Sequence, residues 1–113
     1  MKFMLLLHDD EAAWLAMSEA EQGEVVARHM AYSEALEKAG ALAGGEPLDE
    51  AASAKIVRGA AVQDRPYADT KEQLGGVYII EAADMDAAIA WAKRCPVSPA
   101  GAVEVRPIPS YGG

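Results

Sequence analysis

Nine consecutive residues, Asp64 to Glu72, carry five charged side chains and a tyrosine: Asp64, Arg65, Tyr67, Asp69, Lys71 and Glu72. Loops of mixed charge beside a scaffold strand are where binding groups concentrate. Arg65 offers a planar donor fork and Lys71 a compact point charge, and both suit a small anionic ligand. Asp64, Asp69 or Glu72 can take a proton. The same residues also read as exposed ion pairs that merely shape a turn, each contributing about 0–1 kcal/mol.

The two histidines are the other groups with chemistry to offer. His29 lies between Val25 and Tyr32 on one stripe of a helix. A partly buried histidine there acts as acid or base near neutral pH, or stays a hydrogen-bonded core residue. The expected catalytic set is His29 with Asp64 or Asp69 as its carboxylate partner. The expected ligand-binding set is His8, Arg65, Tyr67, Lys71 and Glu72. His8 ends an apolar run and, by strand alternation, shares a face with Met4 and Leu6. Its neighbour Asp9 faces the other way, so the adjacent pair cannot orient one another.

Neither a metal nor a cofactor is expected. Two histidines without ligand spacing do not make a metal centre. Gly75-Gly76 precedes a strand rather than a helix, so it is not a phosphate loop and better suits a bulge or a close backbone approach. Cys95 is the lone cysteine, near a helix end that disfavours a thiolate, and is read as structural filler.

The positioning elements follow from patterning. Residues 2–8 are apolar on both alternating sets, a strand buried on two faces. A short helix over 11–16 carries Trp14. Ser18-Glu19-Ala20-Glu21 is a capping box, and the helix it starts runs to Ala39, with Gly40 as its stop. Its inward stripe is Val25, His29, Tyr32 and Leu36. Strand residues follow at 41–43, then a small hairpin, 54–58 and 61–63, about Gly59. Residues 64–74 read as turn-like, and 77–80 as a second doubly apolar strand. A helix over 85–95 is capped by Asp84, with Met85, Ala88, Ile89 and Ala92 inward. A strand over 103–108 closes the chain.

That order makes one α+β domain over residues 1–108 with a tail at 109–113. It predicts a ferredoxin-like βαβ-hairpin-βαβ fold with an antiparallel sheet and both helices on one face. The doubly apolar strands then require cover on the bare face. A second copy of the sheet supplies it most simply. The alternative cover is the hairpin and tail of the same chain.

Eighteen acids against ten bases give a net charge of −8, and residues 1–50 account for all of it. Nucleic acid and anionic membrane are poor partners for such a chain. The opening apolar run stops after five residues at His8-Asp9-Asp10, short of a signal peptide's core. With one cysteine and no span-length apolar run, a cytoplasmic location is expected.

The segment Asp64-Arg65-Pro66-Tyr67-Ala68-Asp69-Thr70-Lys71-Glu72-Gln73-Leu74-Gly75-Gly76 resembles the signature of the DGPF family, among the YCII-related proteins. The opening Met1–Leu7 with the acids after it, Ala35–Gly40 with Gly44-Gly45-Glu46, and Val103–Pro107 resemble the family too. The resemblance implies a ferredoxin-like homodimer whose sheets form a dimeric α/β barrel, and it implies no settled activity. It also implies a His and an Asp in a cleft, as in relatives suggested to be enzymes, with His29 as the matching histidine. Members are often encoded beside extracytoplasmic-function sigma factors. The family's Asp-Gly-Pro-Phe is here Asp64-Arg65-Pro66-Tyr67, so an extended Arg65 adds a donor fork where the family has glycine.

Two functions are compatible with these residues. One is a small-molecule-binding protein or enzyme doing His/Asp acid–base chemistry, in a cleft between the second helix, the first strand and the 64–72 loop. The other is a non-catalytic regulatory module that meets a sigma-factor-linked protein through the acidic face of residues 9–24.

Overall fold

Alternation in the first strand sets the layers. Along β1 (Lys2–Asp10), Phe3, Leu5 and Leu7 are buried, while Met4, Leu6 and His8 are partly exposed. Successive strand side chains point to opposite faces, so one row meets the helices and the other does not. The computed structural model describes residues 1–110, so the tail expected at 109–113 lies mostly outside the described residues.

After β1 the chain forms α1 (Glu11–Ala16), α2 (Glu19–Lys38) and β2 (Leu42–Pro47). A 3-10 turn (Ala51–Ser53) leads into the hairpin β3 (Ile56–Arg58) and β4 (Ala61–Gln63). Then come β5 (Glu72–Glu81), α3 (Met85–Arg94) and β6 (Ala102–Ile108). The helix starts rest on local chemistry. Asp10 caps α1 and Asp84 caps α3, while Ser18 and Glu21 close both hydrogen bonds of the capping box on α2. The left-handed backbone at Gly40 and Gly59 stops α2 and turns the hairpin.

The main sheet is antiparallel, in the order β2-β5-β1-β6, while β3 and β4 form a separate two-stranded sheet. This is a ferredoxin-like α+β arrangement, with β1 central and helices on one face. The core lies between that face and the helices: Phe3, Leu5, Leu7, Tyr78 and Ile80 from the sheet meet Tyr32 and Leu36 of α2 and Ala88 and Cys95 beside α3. Tyr32 also donates its hydroxyl hydrogen to the Trp91 carbonyl at 2.6 Å, tying α2 to α3.

Two expectations need correction. β5 begins at Glu72, not at 77, because the polar stretch before Gly75-Gly76 finds its ladder partners in Asp10, Asp9 and His8. Gly75 is left over as the bulge between Leu74 and Gly76. The inward stripe of α3 is rotated from that expected. Ala88 is buried and Trp91 and Ala92 pack on the core, while Met85 and Ile89 are 36% and 38% exposed. Among the described residues, no helix is long and apolar enough to cross a membrane.

Candidate functional site

The row Phe3, Leu5, Leu7 continues to Asp9, so β1 delivers a carboxylate to the helix side at the end of the sheet. The segment after α3 holds it there. Asp9 accepts hydrogen bonds from the Ser98 amide at 2.9 Å, the Ser98 hydroxyl at 2.5 Å and the Asp10 amide at 2.8 Å. A side chain at Gly101 would come within 2.9 Å of this carboxyl group, so only glycine lets the backbone approach so closely. Partial burial acts to raise the Asp9 pKa. The donors from Ser98 and Asp10 outweigh it and hold the group below the usual carboxylate range.

Across from β1, α2 presents His29 one turn before the buried Tyr32. The next strand supplies its partner: the Tyr78 hydroxyl lies 2.8 Å from His29 Nδ1, and the rings stack at 16° with centroids 6.0 Å apart. Burial lowers the His29 pKa, as does nearby Arg28, while the Pro96 carbonyl and the Asp9 charge oppose them. The net direction is down, so the imidazole is neutral at pH 7. A carbonyl only accepts, so the ring nitrogen it meets carries the hydrogen. We assign that hydrogen to Nε2, which leaves Nδ1 to accept from Tyr78. Tyr78 in turn has its pKa raised, chiefly by burial, against an opposing hydrogen bond from Ser33. The arrangement is a chain of polar groups, Ser33, Tyr78 and His29, lying within the field of a fixed anion.

Residues 1–110 match the YCII-related domain. The chain belongs to the YCII-related family. The YCII-related chain is also similar to an uncharacterised protein of Rhizobium meliloti (strain 1021). The two are 33% identical over 117 residues, covering 98% of this chain and 94% of that one.

In this YCII-related protein the other sequence candidates are dispersed. Asp64 pairs with Lys55 on the hairpin, and the carboxylate acting on His29 is Asp9 rather than Asp64 or Asp69. Asp69 is exposed. Arg65 folds back on its own turn, donating to the Pro66 carbonyl at 3.1 Å and the Tyr67 carbonyl at 3.2 Å. Its fork therefore braces the departure from the Gly-containing family turn. Tyr67 is 77% exposed, with the Arg58 guanidinium 5.9 Å from its ring centre. Lys71 reaches Asp10 at 3.5 Å, and Glu72 pairs with Asp10 in the ladder, so the loop abuts the end of β1 beside Asp9. His8 faces away from the helices, as alternation predicts, and meets Glu104 at 3.0 Å. Glu104 is also held by Arg106 at 2.5 Å. These bonds, from Arg106 first and then His8, lower the Glu104 pKa.

Tyr78, Asp9 and Ser98 were not among the sequence candidates. Asp9 had a signal: it is the next member of the buried row on β1. Tyr78 had a weaker one, as the only polar-tipped residue in an apolar strand. Among the described residues, no three His, Cys, Asp or Glu side chains converge as metal ligands. Among the described residues two concavities stand out, and His29 lines neither. One, about 270 Å³, lies on α3 beside Trp91 and Arg94; the other, about 350 Å³, runs between α3 and β6. Cys95 is buried, which pushes its thiol up to about 12 and makes it unreactive.

Proposed function

We propose that the chain is a homodimeric small-molecule-binding protein whose polar site is built on His29, Tyr78 and Asp9. One observation carries this reading. A half-buried, neutral imidazole is hydrogen-bonded to a tyrosine hydroxyl while an ionised carboxylate stands fixed nearby. A neutral imidazole is in the form that can accept a proton from a ligand, and the Asp9 charge favours the imidazolium that results. The ligand would carry an acidic proton or a hydroxyl, and its binding would displace Tyr78 from Nδ1. Proton transfer of the lyase or isomerase kind is the chemistry such a set would serve.

The twin subunit has its own support. The face turned from the helices carries Met4, Leu6, Val77 and Ile79, all partly exposed. The chain also exposes 7584 Å² for a mass of 11.9 kDa. A folded monomer of that mass exposes about 6,000 Å², so the excess is roughly 1,600 Å² per chain. Two chains hiding it would bury about 3,200 Å², within the range of obligate homodimers.

The acidic-module reading, with a sigma-factor-linked partner, has less behind it. Four of its six acids are engaged within the fold. Asp9 holds Ser98, Asp10 caps α1, Glu11 accepts from the Ala51 amide, and Glu21 closes the capping box. The test is a fragment screen read by imidazole NMR, comparing the native protein with His29→Ala. Hits that shift the His29 resonances, and are lost in a folded His29→Ala variant, support the site. Hits unaffected by the substitution, or none at all, overturn it. If His29→Ala unfolds, His29→Gln takes its place.

A further inference from the structure

The β3–β4 hairpin presents two apolar side chains to solvent. Val57 and Val62 pair directly across the ladder and are 67% and 63% exposed. A two-stranded hairpin with three-residue strands is not stable alone in water and needs something to lie against. Its strands pair with one another but form no extended packing with the main sheet. The chain is correspondingly extended. Its radius of gyration is 15.4 Å, against about 13 Å for a compact domain of this length.

A matching depression lies on the far edge of the main sheet. The groove between α3 and β6 is lined by Ile89, Ala92, Cys95, Val97, Val103 and Val105. Among the described residues β6 is an edge strand, so its outer backbone groups have no sheet partner there. The apolar pair belongs to the excursion that leaves the end of β2, while the groove runs along β6, and β2 and β6 are the two edges of one sheet.

Sheet topology says how they could meet. Two copies stacked on their bare faces, about a two-fold axis parallel to the strands, place the β2 edge of one over the β6 edge of the other. Both edges then keep the same end uppermost. β2 finishes at Pro47, opposite Gly76, which pairs with Leu7 near the end of β1. β6 starts at Ala102, opposite His8, at that same end. The chain therefore leaves β2 for the hairpin where the second copy's groove opens.

We propose that the hairpin is an arm that seats Val57 and Val62 in the α3–β6 groove of a second copy of this chain. The proposal rests on the twin-subunit reading and adds a reciprocal clasp to it. Each copy would give one arm and receive one, as two-fold symmetry demands. The roughly 1,600 Å² of excess surface per chain leaves room for the arm as well as the sheet face.

The test combines cross-linking with sedimentation. The double variant Val62→Cys, Ile89→Cys is oxidised and run without reductant. The clasp predicts that most chains become covalent dimers, while either single variant yields less than a tenth as much. Because Cys95 lines the groove, all of these variants are made in a Cys95→Ala background. Separately, Val57→Glu with Val62→Glu should weaken dimerisation at least tenfold without unfolding the chain, since both side chains are mostly exposed. A native dimer with no cross-link and an unchanged dissociation constant in the glutamate variant overturns the arm alone. An intrachain disulfide overturns it too, because the arm then lies on its own groove. A native protein that sediments as a monomer at micromolar concentration overturns both the arm and the twin-subunit reading.

Discussion

Removing the Tyr78 hydroxyl is the most informative single change to the site. In Tyr78→Phe, His29 Nδ1 loses its donor at 2.8 Å, and the Ser33 hydroxyl loses its acceptor. A net hydrogen bond contributes about 1 kcal/mol, and an orphaned buried partner adds a penalty of similar size, so the loss is about 1–2 kcal/mol. Unfolding entropy near 2.1 cal/mol/K per residue makes that roughly a 4–8 °C drop in Tm for a chain of this length. The titration is the sharper readout. The hydroxyl donates to the neutral ring, so its removal disfavours the neutral form and raises the His29 pKa. About 1 kcal/mol of lost bond corresponds to roughly 0.7 of a pH unit. Asp9→Asn works in the opposite direction: the Asp9 charge favours the imidazolium, so its removal lowers the His29 pKa further. Imidazole nitrogen shifts followed by NMR against pH measure both. The assignment fails if Tyr78→Phe leaves the His29 titration where it was, or if Asp9→Asn raises it.

Further outcomes follow from the same geometry. Gly101→Ala places a methyl group within about 3 Å of the Asp9 carboxyl group, and forcing that contact apart should cost about 1–3 kcal/mol in a denaturant melt. Ser98→Ala removes a donor to Asp9, so the Asp9 pKa should rise towards its ordinary value in a carbon-detected titration. For His29, the unfolded chain takes up a proton near pH 6.5 and the folded one resists it. Stability should therefore be complete above 6.5 and fall as pH drops towards the lower folded pKa, a slope that His29→Gln removes. Asp9 acts lower on the scale, with its contribution present above about 3.8 and lost on further acidification. Cys95 should resist thiol reagents in the native state and react at once in denaturant.

The parts legible in the sequence were those governed by near neighbours. The capping box at Ser18, the stop at Gly40, the hairpin at Gly59 and the α2 stripe through Tyr32 and Leu36 all follow from spacing of a few residues. The ferredoxin-like order follows from their succession. The site was less legible because its members meet across the chain: Asp9 with Ser98, and His29 with Tyr78. Charge density drew attention to residues 64–72, yet there the charges pair locally with Lys55, with the turn's own carbonyls and with Asp10. The start of β5 was hidden for a related reason. Glu72-Gln73-Leu74-Gly75 has little strand propensity, and only the waiting ladder of β1 makes it a strand.

The bond from Tyr32 to the Trp91 carbonyl joins the two long helices one turn from His29. With the edge-on contact of the Tyr32 and Trp91 rings, that bond couples the helix carrying His29 to α3. Access to Nδ1 then has to come from a local swing of the Tyr78 ring, since the stretch that carries Pro96 meets the other ring nitrogen. The gate at that nitrogen is the Tyr78 hydroxyl itself, which any ligand must displace.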